Sequence, residues 1–340
     1  MGETMTAYRI VEWQHAPELV EIPVPEVGPG QVLVEVAGCG LCHSDLTMTE
    51  MPAEIGDALG WQVPFTLGHE TAGRVVEVGA GVTTVSVGQA AALTSPSSCG
   101  TCAHCRASRD SACAHGDAGR GYGRDGGLAR YVRAGSVRDV LPLGALDPRH
   151  AGPLTDAGAT SHHAVRRARP ELGPGSVAVV IGVGGLGSFA VQILRATTEA
   201  RIVAVEVDPA RRAVALTLGA DEAVESLPSQ GGLEADAVID IVGVDQTIRR
   251  GLRALRRGGA FVLVGAAGGG FSKPWMGGLP REVTVTSIQG SSIADAQAVV
   301  DLAAAGAVTL AVDEFALTDV VSAYEALDTG RLTGRAVVIP

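Results

Sequence analysis

One segment constrains the fold more than any other. Ser176-Val177-Ala178-Val179-Val180-Ile181 runs straight into Gly182-Val183-Gly184-Gly185-Leu186-Gly187. An unbroken apolar run of strand length reads as a strand buried on both faces. The glycines after it make a tight turn that opens a helix, and Phe189, Ile193 and Leu194 lie at helical spacing along that helix. A second apolar run, Arg201 to Glu206, ends on an acid. Gly182 serves the turn, Gly184 lets the backbone approach a diphosphate, and Gly187 lets the helix pack close to the strand. The helix N-terminus, with Gly185 and Leu186 beside it, offers free N–H groups to that diphosphate. Glu206 is placed to accept hydrogen bonds from the adenosine ribose and to repel a 2′-phosphate, which favours NAD over NADP. Arg211 and Arg212 pull the other way, because a guanidinium there suits the adenine site or a phosphate.

The alternation continues. A helix is expected over 209–218, with Pro209 in its first turn. Strands are expected over 237–242, 260–264 and 283–288, with a helix around 246–256. Apolar strands alternating with helices give a parallel sheet covered on both faces, and this domain is assigned to residues 157–292. Residues 1–156 read instead as β-rich, with short valine runs at 32–36 and 73–79 between glycines and prolines, which suggests a small barrel or sandwich. Residues 293–340 hold two helical stretches, 294–305 and 318–327, and a strand-like run, 335–339. They are expected to return to the first domain, making the α/β domain an insertion.

The six cysteines, at 39, 42, 99, 102, 105 and 113, cluster. Cys99, Cys102, Cys105 and Cys113 lie in a Gly/Ser-rich lobe, 95–116, and match a closed four-thiolate zinc site that braces it. Two disulfides or an iron–sulfur cluster are the competing readings; nothing else in the chain suggests export or electron transfer. His104 and His115 nearby read as surface residues. Cys39 ends an apolar strand and reads as a small core residue rather than as the partner of Cys42. Cys42, in Gly40-Leu41-Cys42-His43-Ser44-Asp45, His69, in Gly68-His69-Glu70, and Asp156 form a candidate set of three metal ligands with a fourth position open, the design of a catalytic zinc.

A net charge of −11 argues against nucleic acid or an anionic membrane as partner. No run of 18 apolar residues exists and the first residues lack the pattern of a signal peptide, so the expected location is the cytoplasm.

Taken in order, Gly-Leu-Cys-His-Ser-Asp at 40–45, Gly-His-Glu at 68–70, the four-cysteine lobe and the glycine pattern at 182–187 resemble the zinc-dependent alcohol dehydrogenases of the medium-chain dehydrogenase/reductase family. The likeness is strongest to the bacterial secondary-alcohol dehydrogenases and covers nearly the whole chain. It implies a chaperonin-10-like barrel domain and a doubly wound Rossmann domain, with two zinc ions per subunit and NAD. By the same resemblance Cys42, His69 and Asp156 hold the catalytic zinc; many relatives have a second cysteine where Asp156 stands. Asp45 orients His69, a role metal chemistry also demands. Glu70 stands behind the metal, His43 lies near the cofactor diphosphate, and Ser44 takes the proton of the alcohol and passes it towards the nicotinamide ribose. Thr47 occupies a position where several relatives have a histidine that releases the proton, so the outer end of the relay is left open.

Met48, Met51, Leu59, Trp61 and Phe65 are candidates either to line the substrate pocket or to pack the loop. Trp275 and Met276 are candidates to reach the site from the far side. The expected reaction interconverts a secondary or aryl alcohol and its ketone or aldehyde. A polyol or threonine dehydrogenase of the same family is the alternative, and a zinc-bearing protein without catalysis the distant one. Similar bacterial enzymes are tetramers, which implies a homo-oligomer, a tetramer or a dimer.

Overall fold

The computed structural model describes residues 2–95, 97–229, 233–272 and 276–340. Two compact units emerge. One combines Met1–Asp156, Ser291–Ala304 and Thr309–Pro340; the other combines Ala157–Gly290 and Ala305–Val308.

The first unit is built around the strand Val32–Gly40. Its β-branched valines 32, 34 and 36 suit a pleated surface and are buried. This strand pairs antiparallel with Glu70–Val78, with Tyr131–Ala134 and with Arg335–Ile339. The last of these also runs parallel to Val312–Ala316. The full sheet runs in the order Val140–Pro142, Ala90–Leu93, Glu70–Val78, Val32–Gly40, Arg335–Ile339, Val312–Ala316. A smaller sheet sets Thr4–Ile10 between Glu18–Pro23 and Phe65–Thr66. The core between them holds Ile10, Val34, Leu41, Phe65, Leu67, Val75, Leu93, Leu128 and Val338. The C-terminal residues are therefore part of the β-rich unit's main sheet, two positions from the strand that carries Glu70.

The second unit holds a parallel sheet of six strands in the order Glu222–Val224, Arg201–Val205, Val177–Ile181, Ala235–Asp240, Leu255–Leu263, Thr284–Ser287. In chain order this is 3-2-1-4-5-6, the doubly wound arrangement. Ala178, Val179 and Val180 have no exposed surface, as the apolar run requires. The helix Gly187–Thr197 follows, burying Phe189, Ile193 and Leu194.

One helix, Ala157–Ala168, gives no signal in the sequence. Its buried face is mostly alanine, glycine, serine and threonine, so no apolar stripe announces it. Small residues work here because the helix lies close to Gly187–Thr197: Ser161 Oγ donates to Leu186 O at 2.8 Å. Among the described residues, no helix is long and apolar enough to cross a membrane.

Candidate metal and dinucleotide sites

The motif at 40–45 sits where the central strand ends. Cys42 is the N-cap of a short helix, His43–Thr49, and its N–H donates to Asp45 Oδ2 at 3.1 Å. The other oxygen, Oδ1, lies 3.0 Å from His69 Nδ1. Asp45 and His69 have no exposed surface, so each needs the other. With Nδ1 turned to Asp45, Nε2 faces the side where Cys42 and Asp156 stand. Asp156 Oδ2 is 3.4 Å from it. The ligand atoms of Cys42, His69 and Asp156 all lie within 4.8 Å of one another, which suits one small cation with tetrahedral preferences. Asp156 is brought in by the 3-10 turn Gly152–Thr155, which ends on it. Burial disfavours a charged imidazole, but Tyr122, then Asp45 and Asp156, outweigh it and raise the pKa of His69. A metal on Nε2 must therefore displace a proton.

Around this cluster the structure adds residues that the sequence did not single out. Tyr122 lies with its ring centroid 4.6 Å from that of His69 and its hydroxyl 3.2 Å from Nε2. The same hydroxyl is 2.9 Å from Ser44 Oγ. Burial pushes the phenol's pKa up, so it remains a neutral hydrogen-bonding group. Its only sequence signal is a lone aromatic between two glycines in a chain with few aromatics. Arg335, from the C-terminal strand, donates to Glu70 Oε1 and to Leu41 O. Nothing in the sequence near 335 distinguishes it from a strand's first residue.

His43 is exposed, and Thr47 is exposed with its hydroxyl donating to His43 O at 3.4 Å. Met48, Trp61 and Phe65 are buried in the core cluster, and Met51 and Leu59 pack against it. Loop packing thus accounts for these five. Trp275 lies outside the described residues; Met276 is exposed.

The four-cysteine lobe also closes on a point. Cys99, Cys102, Cys105 and Cys113 place their sulfurs within 4.8 Å of one another, with separations of 3.5 Å between Cys102 and Cys105, 3.9 Å between Cys99 and Cys105 and 4.0 Å between Cys102 and Cys113. Four sulfurs around one zinc stand about 3.8 Å apart at a Zn–S length of about 2.3 Å. All six cysteines are free thiols, so the disulfide reading has no support. The N–H groups of Cys99, Cys102, Cys105 and His115 point at the sulfurs, at 3.3–3.5 Å, as negative thiolates require. His104 and His115 contribute no ligand atom to this cluster. Cys39 stays out of both clusters: it is fully buried, and burial raises its pKa to about 12.

In the second unit, Gly182 has φ +87° and a Cβ on Gly187 would stand 1.8 Å from the Gly182 carbonyl oxygen, so the turn and the close helix both demand glycine. No side chain caps the helix Gly187–Thr197, so its N-terminus, which opens straight from the glycine turn, suits an anion. Space beside Gly184 is open except for Arg211, whose Nη1 is 4.0 Å from where a Cβ would be. Glu206, nearly buried, accepts from the N–H of Val183 at 2.8 Å with Oε2 and from that of Asp208 at 3.1 Å with Oε1. It therefore ties the second strand's end to the glycine turn. Arg212 is spent on the carbonyls of Glu206 and Val207.

Residues 28–145 match the family "alcohol dehydrogenase GroES-like domain" and residues 185–305 match "zinc-binding dehydrogenase". The chain is 33% identical to an NAD-dependent alcohol dehydrogenase of Sulfurisphaera tokodaii, over 99% of this chain and 100% of that one. It is 32% identical to a D-arabinose 1-dehydrogenase (NADP+) of Saccharolobus solfataricus, over 94% and 93%. Among solved structures, the alcohol dehydrogenase of Aeropyrum pernix superposes with a TM-score of 0.89 at 31% identity, covering 98% of this chain and 100% of that one.

Proposed function

Because the chain belongs to the zinc-dependent alcohol dehydrogenases of the medium-chain dehydrogenase/reductase family, we propose that it oxidises a secondary or aryl alcohol to the ketone or aldehyde with NAD, and runs the reverse reduction. One observation carries the reading: Cys42, His69 and Asp156 converge on one point while Asp45 holds His69 with Nε2 turned to it. Zinc held there supplies the positive charge that acidifies an alcohol hydroxyl, and NAD accepts the hydride.

The chain's own residues do the rest. Asp45 fixes the tautomer and orientation of His69. Ser44 Oγ, beside the cluster, takes the proton the alcohol gives up while its own proton passes on to the next group of a relay that leads to solvent. Glu70, held by Arg335, stands behind the cluster. The cysteines at 99–113 hold a second, structural zinc. Gly182, Gly184, Gly185, Leu186 and Gly187 receive the dinucleotide's diphosphate, Arg211 lies along it, and Glu206 selects the unphosphorylated ribose. The free thiols suit a reducing compartment, which favours the cytoplasm. The exposed edge strand Thr284–Ser287 favours pairing with a second copy.

A second reading, oxidation of a sugar or another polyol, is favoured by the likeness to the arabinose dehydrogenase. The test is a panel of secondary, aryl and polyol substrates followed by NADH absorbance, with zinc measured on the same sample. Turnover that requires zinc and peaks on secondary or aryl alcohols supports the reading. Zinc retention with no turnover on any alcohol sinks it.

A further inference from the structure

We propose that Tyr122 is a positioning residue for this reaction: its hydroxyl holds the Ser44 hydroxyl in one orientation beside the Cys42–His69–Asp156 cluster. The inference rests on the reading of that cluster as an alcohol-oxidising centre, and goes beyond it.

Ser44 is the second residue of the helix His43–Thr49, in its first turn, so no carbonyl of the helix lies one turn back to receive its hydroxyl. Among the described residues, its hydrogen bond is to Tyr122, at 2.9 Å. Without that partner a serine hydroxyl divides its time among three staggered positions. A group that must meet a substrate proton at one place loses by doing so. Thr47 and Thr49, the other hydroxyls of that helix, donate instead to His43 O and Leu46 O.

Tyr122 is itself held on every side. It exchanges two backbone hydrogen bonds with Gly119, at 2.8 and 2.9 Å. Gly121 and Gly123, on either side of it, both have φ +71°, and a Cβ on Gly121 would stand 2.8 Å from the Gly68 carbonyl carbon. The turn is thus pressed against the backbone that carries His69. The phenol ring lies between His69, at 4.6 Å, and Trp61, at 5.8 Å, and Trp61 is anchored by Nε1 donating to Asp117 O at 2.7 Å. With a metal on His69 Nε2, that nitrogen would no longer be open to the phenol 3.2 Å away. Ser44 is then the phenol's remaining partner in this set.

The experiment compares Tyr122→Phe, Ser44→Ala and the double variant in the zinc-loaded enzyme. Phenylalanine keeps the ring on His69 and removes only the oxygen. The expected result is a fall in kcat of about three- to tenfold, the value of one fixed rotamer and one hydrogen bond, with KM for the alcohol nearly unchanged. In the Ser44→Ala background the same change costs nothing further, because Tyr122 acts through Ser44. A readout independent of turnover accompanies this: the rate at which a chelator strips the zinc stays that of the wild type.

Wild-type kcat in Tyr122→Phe overturns the proposal, as do losses that simply add in the double variant. Faster zinc loss overturns it too, since the phenol oxygen would then be bracing the metal site and not Ser44. If the wild type itself reduces no NAD with any alcohol, the reading of the site fails and takes the proposal with it. An active wild type beside an unchanged variant leaves the site reading standing and removes Tyr122 alone.

Discussion

Arg335 donates from Nη2 to Glu70 Oε1 at 2.5 Å and to Leu41 O at 2.8 Å, although 265 residues separate it from Glu70. The strand that completes the sheet thus also delivers the counter-charge for a carboxylate behind the candidate metal ligands. Both side chains are buried, at 7% and 0% exposure. Burial alone would lower the guanidinium's pKa; Glu70, Cys42 and Asp156 together outweigh it and hold Arg335 charged.

Breaking this pair should be costly. Arg335→Met leaves Glu70 buried without its cation and is expected to destabilise the chain by about 3–5 kcal/mol, the usual cost of a stranded buried charge. Urea unfolding of the zinc-loaded protein measures it. Adding Glu70→Gln to the same chain should recover a large part of the loss. A midpoint that does not move in Arg335→Met would show that the pair contributes nothing to stability.

Cys42→Ser removes the soft ligand of the candidate catalytic site. Zinc content is expected to fall from two ions per chain to one. Turnover should drop by about a thousandfold or more, since several kcal/mol of charge stabilisation leave with the metal. NAD affinity, set by the other unit, should hold. Elemental analysis and NAD titration on one preparation decide this, and wild-type turnover would remove Cys42 from the ligand set.

Glu206→Ala should weaken NAD more than NADP, because the carboxylate that meets the ribose hydroxyls and repels a 2′-phosphate is gone. The bond from Val183 N–H adds a second effect. Some affinity for both cofactors should be lost, since the glycine turn loses its tether to the second strand. Dissociation constants for the two nucleotides check this; an unchanged ratio would take Glu206 out of the selectivity argument.

The thiols give a prediction in pH. Cys99 has its pKa lowered to about 5, first by the Thr101 hydroxyl and then by neighbouring N–H groups, whereas burial raises Cys39 to about 12. The thiolate is the reactive form. Once a chelator has removed zinc, alkylation at pH 7 should therefore mark Cys99 early, and the rate should fall away as pH drops through about 5, where the thiolate takes up its proton. Cys39 should stay unmarked throughout. With zinc bound, the four lobe cysteines should all be protected. Peptide mapping by mass reads each site, and labelling of Cys39 ahead of Cys99 would contradict the account.

Much of this was legible before any coordinates. The run Val177–Ile181, the glycine turn and the acid at 206 follow a strict period, and strands buried on both faces cannot hide their apolar character. Cysteine spacing in the 99–113 lobe is short enough that local geometry alone brings the sulfurs together. The helix Ala157–Ala168 was not legible, because its packing depends on small side chains that read as neutral. Tyr122 and Arg335 were not legible for a different reason. Each reaches its partner across a turn or a strand pairing, Tyr122 to Ser44 and Arg335 to Glu70, and no local pattern records a contact between residues so far apart in the chain.

The place of Arg335–Ile339 in the first unit's main sheet has a consequence for biosynthesis. On the ribosome, residues 157–290 emerge and can fold while the β-rich unit still lacks the strand that pairs with Val32–Gly40. Until residues 335–339 have emerged, the nascent protein carries an open sheet edge and a Glu70 without its arginine, a species for chaperones to shield.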